Sequence, residues 1–538
     1  MGTSILHIKT EVECKVFLFD EEKGVATPGK YFNIEVRKGK QDLLFVNTSD
    51  EDLYCDMIYQ IEENDADYNV AINEAMFHTL TEVSYDELIN AVYDEDDARY
   101  SRDGKYLISF GNYDIEEYTV KPTCKVICDQ AFSGCNYITS IRLPEGLTHI
   151  GNGAFSDCWN LVNINLPNSL IYIGDGAFSS CLSAHITLPI NLKHVGRGAI
   201  DSRIKHVRSN SPTFAIHDNC LIDNKEKRLI VYLSDDQNVI IPANITQIGD
   251  NAFLGHKNLS SVIFPEDLES IGDYAFAYCE KLSLVKFSYG LKYIGNNSFD
   301  GCSNLIDIKL PQSLSYIGNK SFWNCQRLTH INIPPQLKHI GEEAFTLTGI
   351  NTVDCYSPYY IYTNDCLIDK ENKKLITCLS KKQEINLVAG ITIIGKSAFY
   401  GSEITSIKIP NGVTHIDDFA FMNCENLSDV VLPNSLLTIG DKAFDGCYNL
   451  SCIKLPASLK KIGAYAFTVE IQMSSGLRST YLQLFEKYDV PEDESLVFEP
   501  ISSIIIPQGT RSHFESLIPS CLHNKLKEDN RVEYVKIF

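Results

Sequence analysis

Apolar and polar positions repeat every 23 residues between residues 118 and 467. Each unit follows the pattern L-x-x-I-x-L-P-x-x-L-x-x-I-G-x-x-A-F-x-x-C, and residues 161–181, LVNINLPNSLIYIGDGAFSSC, are a clean copy. The alternation before the proline predicts a short strand with one buried face, which the proline ends because it cannot donate to a ladder. Gly174 suits either positive φ or a close backbone approach. The Ala-Phe segment has room for one helical or 3₁₀ turn.

Thirteen units carry an Ala-Phe pair or a close variant, and two of the spacings between them are longer, at 53 and 54 residues. The pairs begin at Ala131, Ala154, Ala177, Ala199, Ala252, Ala275, Ser298, Ser321, Ala344, Ala398, Ala420, Ala443 and Ala466. A single unit cannot bury its apolar side, whereas stacked units can. We therefore predict a repeat solenoid, mostly β with short helical turns, in which each coil adds about 4.8 Å.

Two insertions interrupt the period, and they resemble each other at an offset of 146 residues. DNCLID at 218–223 corresponds to NDCLID at 364–369, and each is followed by a charged turn and a second apolar run. This pattern predicts β-hairpins near 214–239 and 360–386. The hairpins divide the solenoid, residues 118–467, into three blocks. The blocks are 118–213, 240–358 and 387–467.

The two ends of the chain lack the period. Alternating strands and turns predict a small antiparallel all-β domain at 1–75. Residues 76–117 are predicted to be an acidic connector and N-terminal cap, with a helix near 84–93 that starts at the capping box Ser84-x-x-Glu87. Residues 468–538 are predicted to form a C-terminal cap. Its elements are a loop with one helix at 471–500, a strand at 501–507, an amphipathic helix at 511–526 and a last strand at 532–538.

The repeated units resemble the BspA-type leucine-rich repeat, whose pattern LP-x-x-L-x-x-IG-x-x-AF-x-x-C-x-x-L-x-x-I they match over about 118–467. The resemblance implies a leucine-rich-repeat solenoid with hairpins between its blocks and a helical cap after P-x-G-T. It also implies an adhesive or interaction protein, often on a bacterial surface, that binds host matrix proteins or other cells.

Charge narrows the range of partners. Residues 1–120 hold 27 acidic and 10 basic side chains, and so carry most of the net charge of −23. Such acidity argues against nucleic acid or an anionic membrane as the main partner. No apolar run of about 18 residues predicts a transmembrane helix. The first residues lack the pattern of an export leader, which favours the cytoplasm; the alternative is a cell-surface or secreted protein whose leader was removed.

Two motifs suggest chemistry, and the repeat explains both. Residues 390–397 fit the phosphate-binding loop pattern G-x-x-x-x-G-K-S, but their second half is the repeat consensus. Eight of the 18 cysteines lie three residues after the Phe position and form one row, which favours buried thiols that pack as small hydrophobes over disulfides or metal ligands. The row is Cys135, Cys158, Cys181, Cys279, Cys302, Cys325, Cys424 and Cys447. We expect no catalytic residue, no metal and no cofactor.

Two further rows are candidates for a binding face. Outward positions two residues before the proline are mildly basic within an acidic protein. The positions before Ile-Gly are rich in Tyr and His, and Tyr is favoured at interfaces. A solvated face and simple edge stacking remain the alternatives. The candidate contact residues are Arg142, Asn165, Lys286, Lys309, Asn332, Lys408, Lys454, Tyr172, Tyr293 and Tyr316.

The leading hypothesis is a non-enzymatic scaffold that binds an unknown protein or glycan as a monomer. The alternative is a regulatory or enzymatic N-terminal domain for which the repeats act as a sensor. A catalytic domain would need a pocket with convergent titratable groups, which a β domain of about 75 residues seldom holds.

Overall fold

The computed structural model describes residues 4–10, 13–18, 21–28, 30–36, 39–47, 53–61, 67–72, 78–79, 91–204, 206–467, 469–470, 497–498, 503–507, 510–517 and 526–529. The chain forms two compact units, Met1–Thr213 and Phe214–Phe538. Among the described residues, every element is a strand except one short helix, Arg511–Glu515. In each unit the repeats stack as a β-solenoid, so the predicted fold class is confirmed.

The first unit begins with short strands in two sheets. They are Ser4–Thr10, Cys14–Leu18, Glu21–Ala26, Tyr31–Val36, Gly39–Asn47, Leu53–Ile61, Asp67–Ile72 and His78–Thr79. Most neighbours are antiparallel, but Ser4–Thr10 lies parallel to Asp67–Ile72, which departs from the predicted all-antiparallel pairing. The domain boundary at residue 75 stays a prediction.

The described part of the entry to the repeats, residues 91–117, consists of strands and turns, and its role as an acidic connector and N-terminal cap stays a prediction. Val92–Tyr93, Ala98–Tyr100 and Tyr106–Phe110 are antiparallel, and Tyr106–Phe110 then pairs in parallel with the first repeat strand, Val126–Ile127. The predicted helix near 84–93 is wrong at its end, since Val92 and Tyr93 are in a strand; residues 80–90 lie outside the described residues.

Each repeat contributes two strands. The Pro strand precedes the proline position of the repeat, and the Gly strand is the two-residue strand that precedes the Ile-Gly glycine position. A few coils carry another residue at one of these positions, such as Ser288 in place of the proline. In the first unit the Pro strands are Glu117–Thr119, Ser140–Arg142, Asn163–Ile164, His185–Leu188 and His206–Ser209. The Gly strands are Val126–Ile127, His149–Ile150, Tyr172–Ile173 and His194–Val195. All of these pair in parallel with the same row of the next coil.

The second unit repeats this arrangement twice. Its Pro strands are Asn238–Ile240, Ser261–Ile263, Leu284–Lys286, His330–Ile333, Thr352–Cys355, Glu384–Asn386, Ser406–Lys408, Asp429–Val431 and Cys452–Lys454. Its Gly strands are Gln247–Ile248, Ser270–Ile271, Tyr293–Ile294, Tyr316–Ile317, His339–Ile340, Ile393–Ile394, His415–Ile416, Thr438–Ile439 and Lys461–Ile462. The Gly strands form two sheets, because the ladder is broken after His339–Ile340.

Both predicted hairpins are present in the second unit. Each is preceded by one more antiparallel strand, and the last strand of each starts a Gly-strand sheet. The first set is Phe214–His217, Cys220–Asp223 and Arg228–Tyr232. The second set is Tyr360–Thr363, Cys366–Asp369 and Lys374–Cys378.

A stack of phenylalanine rings fills the core. Phe276, Phe299 and Phe322 are fully buried, and their ring centroids are 5.3 and 5.4 Å apart with nearly parallel planes. The Ala-Phe segment is a tight turn, as predicted, and it adds a third ladder because Phe276 N–H donates to Ser298 O at 2.7 Å. A regular coil is therefore bonded to the next on three sides.

The C-terminal region contains some of the predicted elements, and its role as a cap stays a prediction. Ser503–Pro507 pairs in parallel with Cys452–Lys454 and Leu526–Asp529, so the predicted extra strand is present. The predicted helix at 511–526 is too long, because the helix ends at Glu515 and Leu526 lies in a strand. Val469–Glu470 pairs with Val497–Phe498; residues 471–496 and 530–538, including the predicted last strand, lie outside the described residues.

Candidate binding surface

The Pro strands expose alternate side chains, as the sequence pattern requires. Of the candidates on this row, Arg142 and Asn165 lie in the first unit and the others in the second. Arg142 faces Glu117 on the neighbouring strand at 3.8 Å. The four lysines of this row are exposed in the second unit, two of them on adjacent coils. They are Lys286, Lys309, Lys408 and Lys454.

Asn332 differs from the rest of this row. Its amide donates to Leu310 O and its Oδ1 accepts Leu310 N–H, both at 2.8 Å. The side chain thus replaces strand pairing at a coil where only isolated bridges form. Asn332 therefore holds the coil together, and its role as a contact residue stays a prediction.

An exposed apolar patch on the same face was missed by the sequence analysis. Ile240 is 71% exposed, Ile263 52% and Leu284 63%, and they occupy three consecutive Pro strands. Lys286 lies in the strand that carries Leu284, directly across from Ile263. The sequence does indicate this patch, because these apolar residues occupy outward positions where other coils carry Lys, Asn or Ser. We call these three residues the apolar patch.

The aromatic row forms stacked, half-buried edges. Tyr172 stacks on His194 with centroids 4.6 Å apart. In the second unit Tyr293 stacks on Tyr316 at 4.7 Å, and Tyr316 stacks on His339 at 4.5 Å. Burial lowers the pKa of His339, so its ring is neutral at pH 7. The row is ordered by contact between successive coils.

The stack of the second unit ends at a cleft of about 230 Å³. The cleft lies where the Gly-strand ladder is broken, between His339 and the second hairpin, and Tyr360 Oη caps the open strand edge by donating to Lys338 O at 3.1 Å. Asp369, Glu371 and Asn372 of the hairpin line the opposite side. The broken ladder therefore gives the second unit a concave polar site beside an aromatic edge.

A ladder of Asp and Asn carboxyl and amide oxygens fixes the aromatic edge. In most coils an Asp or Asn stands one position after the Ile-Gly glycine position, and its side-chain oxygen accepts the backbone N–H of its counterpart in the next coil; Asn296 Oδ1, for example, accepts Asn319 N–H at 2.8 Å. We call this row the Asx ladder. Its members are Asp129, Asn152, Asp175, Asp250, Asp273, Asn296, Asn319, Asp418 and Asp441.

The Asx ladder explains the Ile-Gly glycine of the coil that follows each of its members. A Cβ on Gly174 would lie 2.6 Å from Asn152 Oδ1 and 2.7 Å from Asn152 N. Gly174 therefore serves a close backbone approach, one of the two predicted reasons, and not a positive φ.

The sequence model of the BspA-type leucine rich repeat region matches this chain in six copies, over residues 107–226, 232–353 and 378–491. This chain belongs to the BspA-type leucine-rich repeat family. The resemblance inferred from the repeat pattern is thereby confirmed. A search of the curated proteins finds no match.

Several solved structures are similar to this BspA-type chain. A leucine rich cell surface protein from Faecalibacterium prausnitzii A2-165 is 18% identical, with 82% of this chain and 98% of that chain covered and a TM-score of 0.40. A leucine-rich repeat protein from Bacteroides ovatus is 25% identical, with coverages of 69% and 94% and a TM-score of 0.30. The pneumococcal vaccine antigen PcpA is 19% identical, with coverages of 65% and 89% and a TM-score of 0.41.

The phosphate-loop pattern of this chain does not form a phosphate-binding loop. Ile393 and Ile394 are a Gly strand, and a turn follows where a helix would be needed. Ser397 Oγ donates to Glu343 Oε1 at 2.6 Å, and Lys396 Nζ lies 3.7 Å from Glu343 Oε2. The lysine and serine of the pattern therefore neutralise and bind a buried carboxylate.

The cysteine row packs in the core as the residue pattern indicated. Each thiol from the second coil of a block onward donates to the Phe carbonyl of the previous coil; Cys302 Sγ, for example, lies 3.2 Å from Phe276 O. Burial raises the pKa of Cys279 to about 12, so the thiol keeps its proton and remains a donor. In the part of the chain that is described, no group of three or more His, Cys, Asp or Glu could hold a metal ion. Nor do these residues include a helix of the length and hydrophobicity that a bilayer requires.

Proposed function

We propose that this chain is a non-enzymatic scaffold whose Pro-strand face binds another protein. The apolar patch supports the proposal. Three large aliphatic side chains lie exposed on consecutive strands, and polar and basic residues, including Lys286, adjoin them. An apolar centre with a polar rim is the usual anatomy of a protein interface.

The lysines of the same face favour an acidic partner surface. Lys286 and Lys309 follow each other along the row, since Leu284 and Asp307, two residues earlier, pair in parallel. Exposed charges of this kind steer encounter and set specificity more than they add affinity. The aromatic edge, with Tyr293 and Tyr316, is a second contact strip that a glycan partner would favour through ring stacking.

The proposal is tested by binding of the full chain to a panel of immobilised extracellular-matrix proteins and glycans. A chain with Ile240→Thr, Ile263→Thr and Leu284→Thr should lose at least about tenfold in affinity for its protein target, equivalent to about 1.4 kcal/mol. Ile190→Thr is the matched control, because Ile190 is 55% exposed and lies in the other unit. Unchanged binding by the triple variant would refute a role for the apolar patch, and binding to glycans alone would move the site to the aromatic edge.

The location of the scaffold is a separate proposal. Membership of the BspA-type family supports the cell surface, and the cytoplasm is the alternative. Digestion of intact cells with an impermeant protease separates these possibilities, because only a surface-exposed chain is cleaved.

A further inference from the structure

The second hairpin places two cysteines directly opposite each other. Cys366 of the strand Cys366–Asp369 and Cys378 of the strand Lys374–Cys378 are register partners. Cys366 is buried and Cys378 is half-buried. Their side chains are in hydrogen-bonding contact.

The backbone hydrogen bonds show which kind of cross-strand pair this is. Cys378 N–H points away from the partner strand and donates to Ala398 O at 2.7 Å, whereas the next residue, Leu379, donates to Asp365 O at 2.8 Å. Cys366 and Cys378 are therefore a non-hydrogen-bonded pair, in which opposite Cα atoms lie about 4.5 Å apart and the side chains are closest. This separation lies within the range that a disulfide spans.

The arrangement differs from that of the other hairpin and of the cysteine row. At the equivalent position of the first hairpin, Cys220 faces Tyr232, so no second sulfur is opposite it. The cysteine row also has neighbouring thiols in contact, Cys158 with Cys181 and Cys424 with Cys447, but all four of these thiols are fully buried. The second hairpin thus combines close sulfurs with partial exposure of one of them.

We propose that Cys366 and Cys378 form a redox modification site that is oxidised to an intramolecular disulfide by low-molecular-weight disulfides such as oxidised glutathione. The thiolate of Cys378, the more exposed sulfur, attacks the disulfide, forms a mixed disulfide and releases one glutathione thiolate. The Cys366 thiol then loses its proton and attacks the Cys378 sulfur, which releases the second glutathione. Two protein thiols are oxidised, and one oxidised glutathione becomes two reduced molecules.

The order of the two steps follows from the surroundings of each sulfur. The hydrogen bond to Cys378 and burial raise the pKa of Cys366, so its thiol keeps its proton before the mixed disulfide forms. Cys366 becomes reactive only when a mixed disulfide stands directly opposite it. Reaction at this pair leaves the two strands in their register, because the side chains are already in contact.

The experiment uses the reduced full chain, held under native conditions in buffers of increasing oxidised-to-reduced glutathione ratio. After acid quenching, free thiols are alkylated in denaturant, and the chain is cut with trypsin, which cleaves after Lys370 and Lys374 and so separates the two cysteines. We expect two of the 18 thiols to be lost and one linked pair of peptides, 339–370 with 375–381, to appear. Fragment ions assign the bond to Cys366, because Cys355 on the same peptide should be alkylated.

Two variants distinguish the site from general oxidation. Cys366→Ala should leave a stable glutathione adduct on Cys378, whereas Cys220→Ala in the first hairpin should leave the linked peptide unchanged. Circular dichroism checks that each variant is folded, and the mapping of the unmodified chain does not depend on them. The proposal is overturned if both cysteines are alkylated at the most oxidising ratio, if Cys378 stays a mixed disulfide in the unmodified chain, or if it links to Cys355.

Discussion

The regular coils and the junction around the second hairpin are held to their neighbouring coils by different interactions. In the coils between Asp250 and Asn319, each step is held by the Asx ladder and by a glycine that makes room for it. At the junction the ladder position holds Lys396, and a buried carboxylate, Glu343, binds Ser397 and lies near Lys396 and Lys320. The regular coils are therefore held together by hydrogen bonds to backbone N–H groups, whereas the junction is stabilised by charged side chains.

The residue at the Ile-Gly glycine position varies with the presence of an Asx side chain in the previous coil. Asp417 occupies it one coil after Lys396, where the previous coil supplies no Asx side chain. Its carboxylate lies 3.0 Å from Lys374 Nζ, which also contacts Glu342 at 3.1 Å. A residue with a side chain therefore stands at this position in a coil whose predecessor supplies no Asx oxygen.

The phenylalanine stack gives the largest expected difference between the two regions. Phe299→Ala should cost about 3–5 kcal/mol of unfolding free energy, the usual range for a buried phenylalanine, because its ring stacks on both Phe276 and Phe322. Phe345→Ala should cost less, since Phe345 stacks on Phe322 at 5.9 Å and borders a cleft of about 150 Å³. Urea unfolding measures both, and equal losses would contradict a looser junction.

The glycine that precedes an Asx member gives the next largest effect. Gly318→Ala should cost about 3 kcal/mol, the upper end for overpacking, because its Cβ would lie 2.6 Å from Asn296 N and 2.7 Å from Gly295 C, which are backbone atoms. Asp417→Ala, at the same repeat position, should cost less than about 1 kcal/mol, since it loses only a partly exposed ion pair. Thermal unfolding of the two variants compares them directly, and a larger loss for Asp417→Ala would disprove the dependence.

The contribution of charged side chains to the stability of the junction can be tested at Glu343. Glu343→Gln should cost about 2 kcal/mol, the scale of a buried hydrogen bond to a charged group, because Ser397 Oγ loses its carboxylate acceptor. A double-mutant cycle with Ser397→Ala measures the coupling by urea unfolding. A coupling energy near zero would mean that Glu343 acts through Lys320 and Lys396 and not through the serine.

Much of the regular region could be predicted from the sequence, and little of the junction. The strands, the tight turn at Ala-Phe and both hairpins follow from local pattern and turn chemistry. The Asx ladder, Glu343 and Asn332 could not be found in this way, because each bond joins residues about 22 to 54 positions apart. At the ends, the helix near 84–93 was predicted from one capping box, whereas pairing to the first repeat makes Val92–Tyr93 and its neighbours strands.

The smallest expected effect on stability is at His256, which lies in the coil after the first hairpin. It takes the place of a row cysteine in the coil after that hairpin, and lies against Tyr232 and Phe253 with ring centroids 5.7 Å apart in both cases. Burial lowers the pKa of His256, although Asp235 opposes the shift. The unfolded chain therefore binds a proton more readily, so stability should be complete above the unfolded pKa of about 6.5 and fall as pH drops below it, by at most about 1.4 kcal/mol per pH unit. His256→Cys restores the row consensus and should remove this part of the pH dependence of the unfolding free energy, measured by urea unfolding between pH 5 and 7. The same pH dependence in both proteins would show that His256 does not contribute to it.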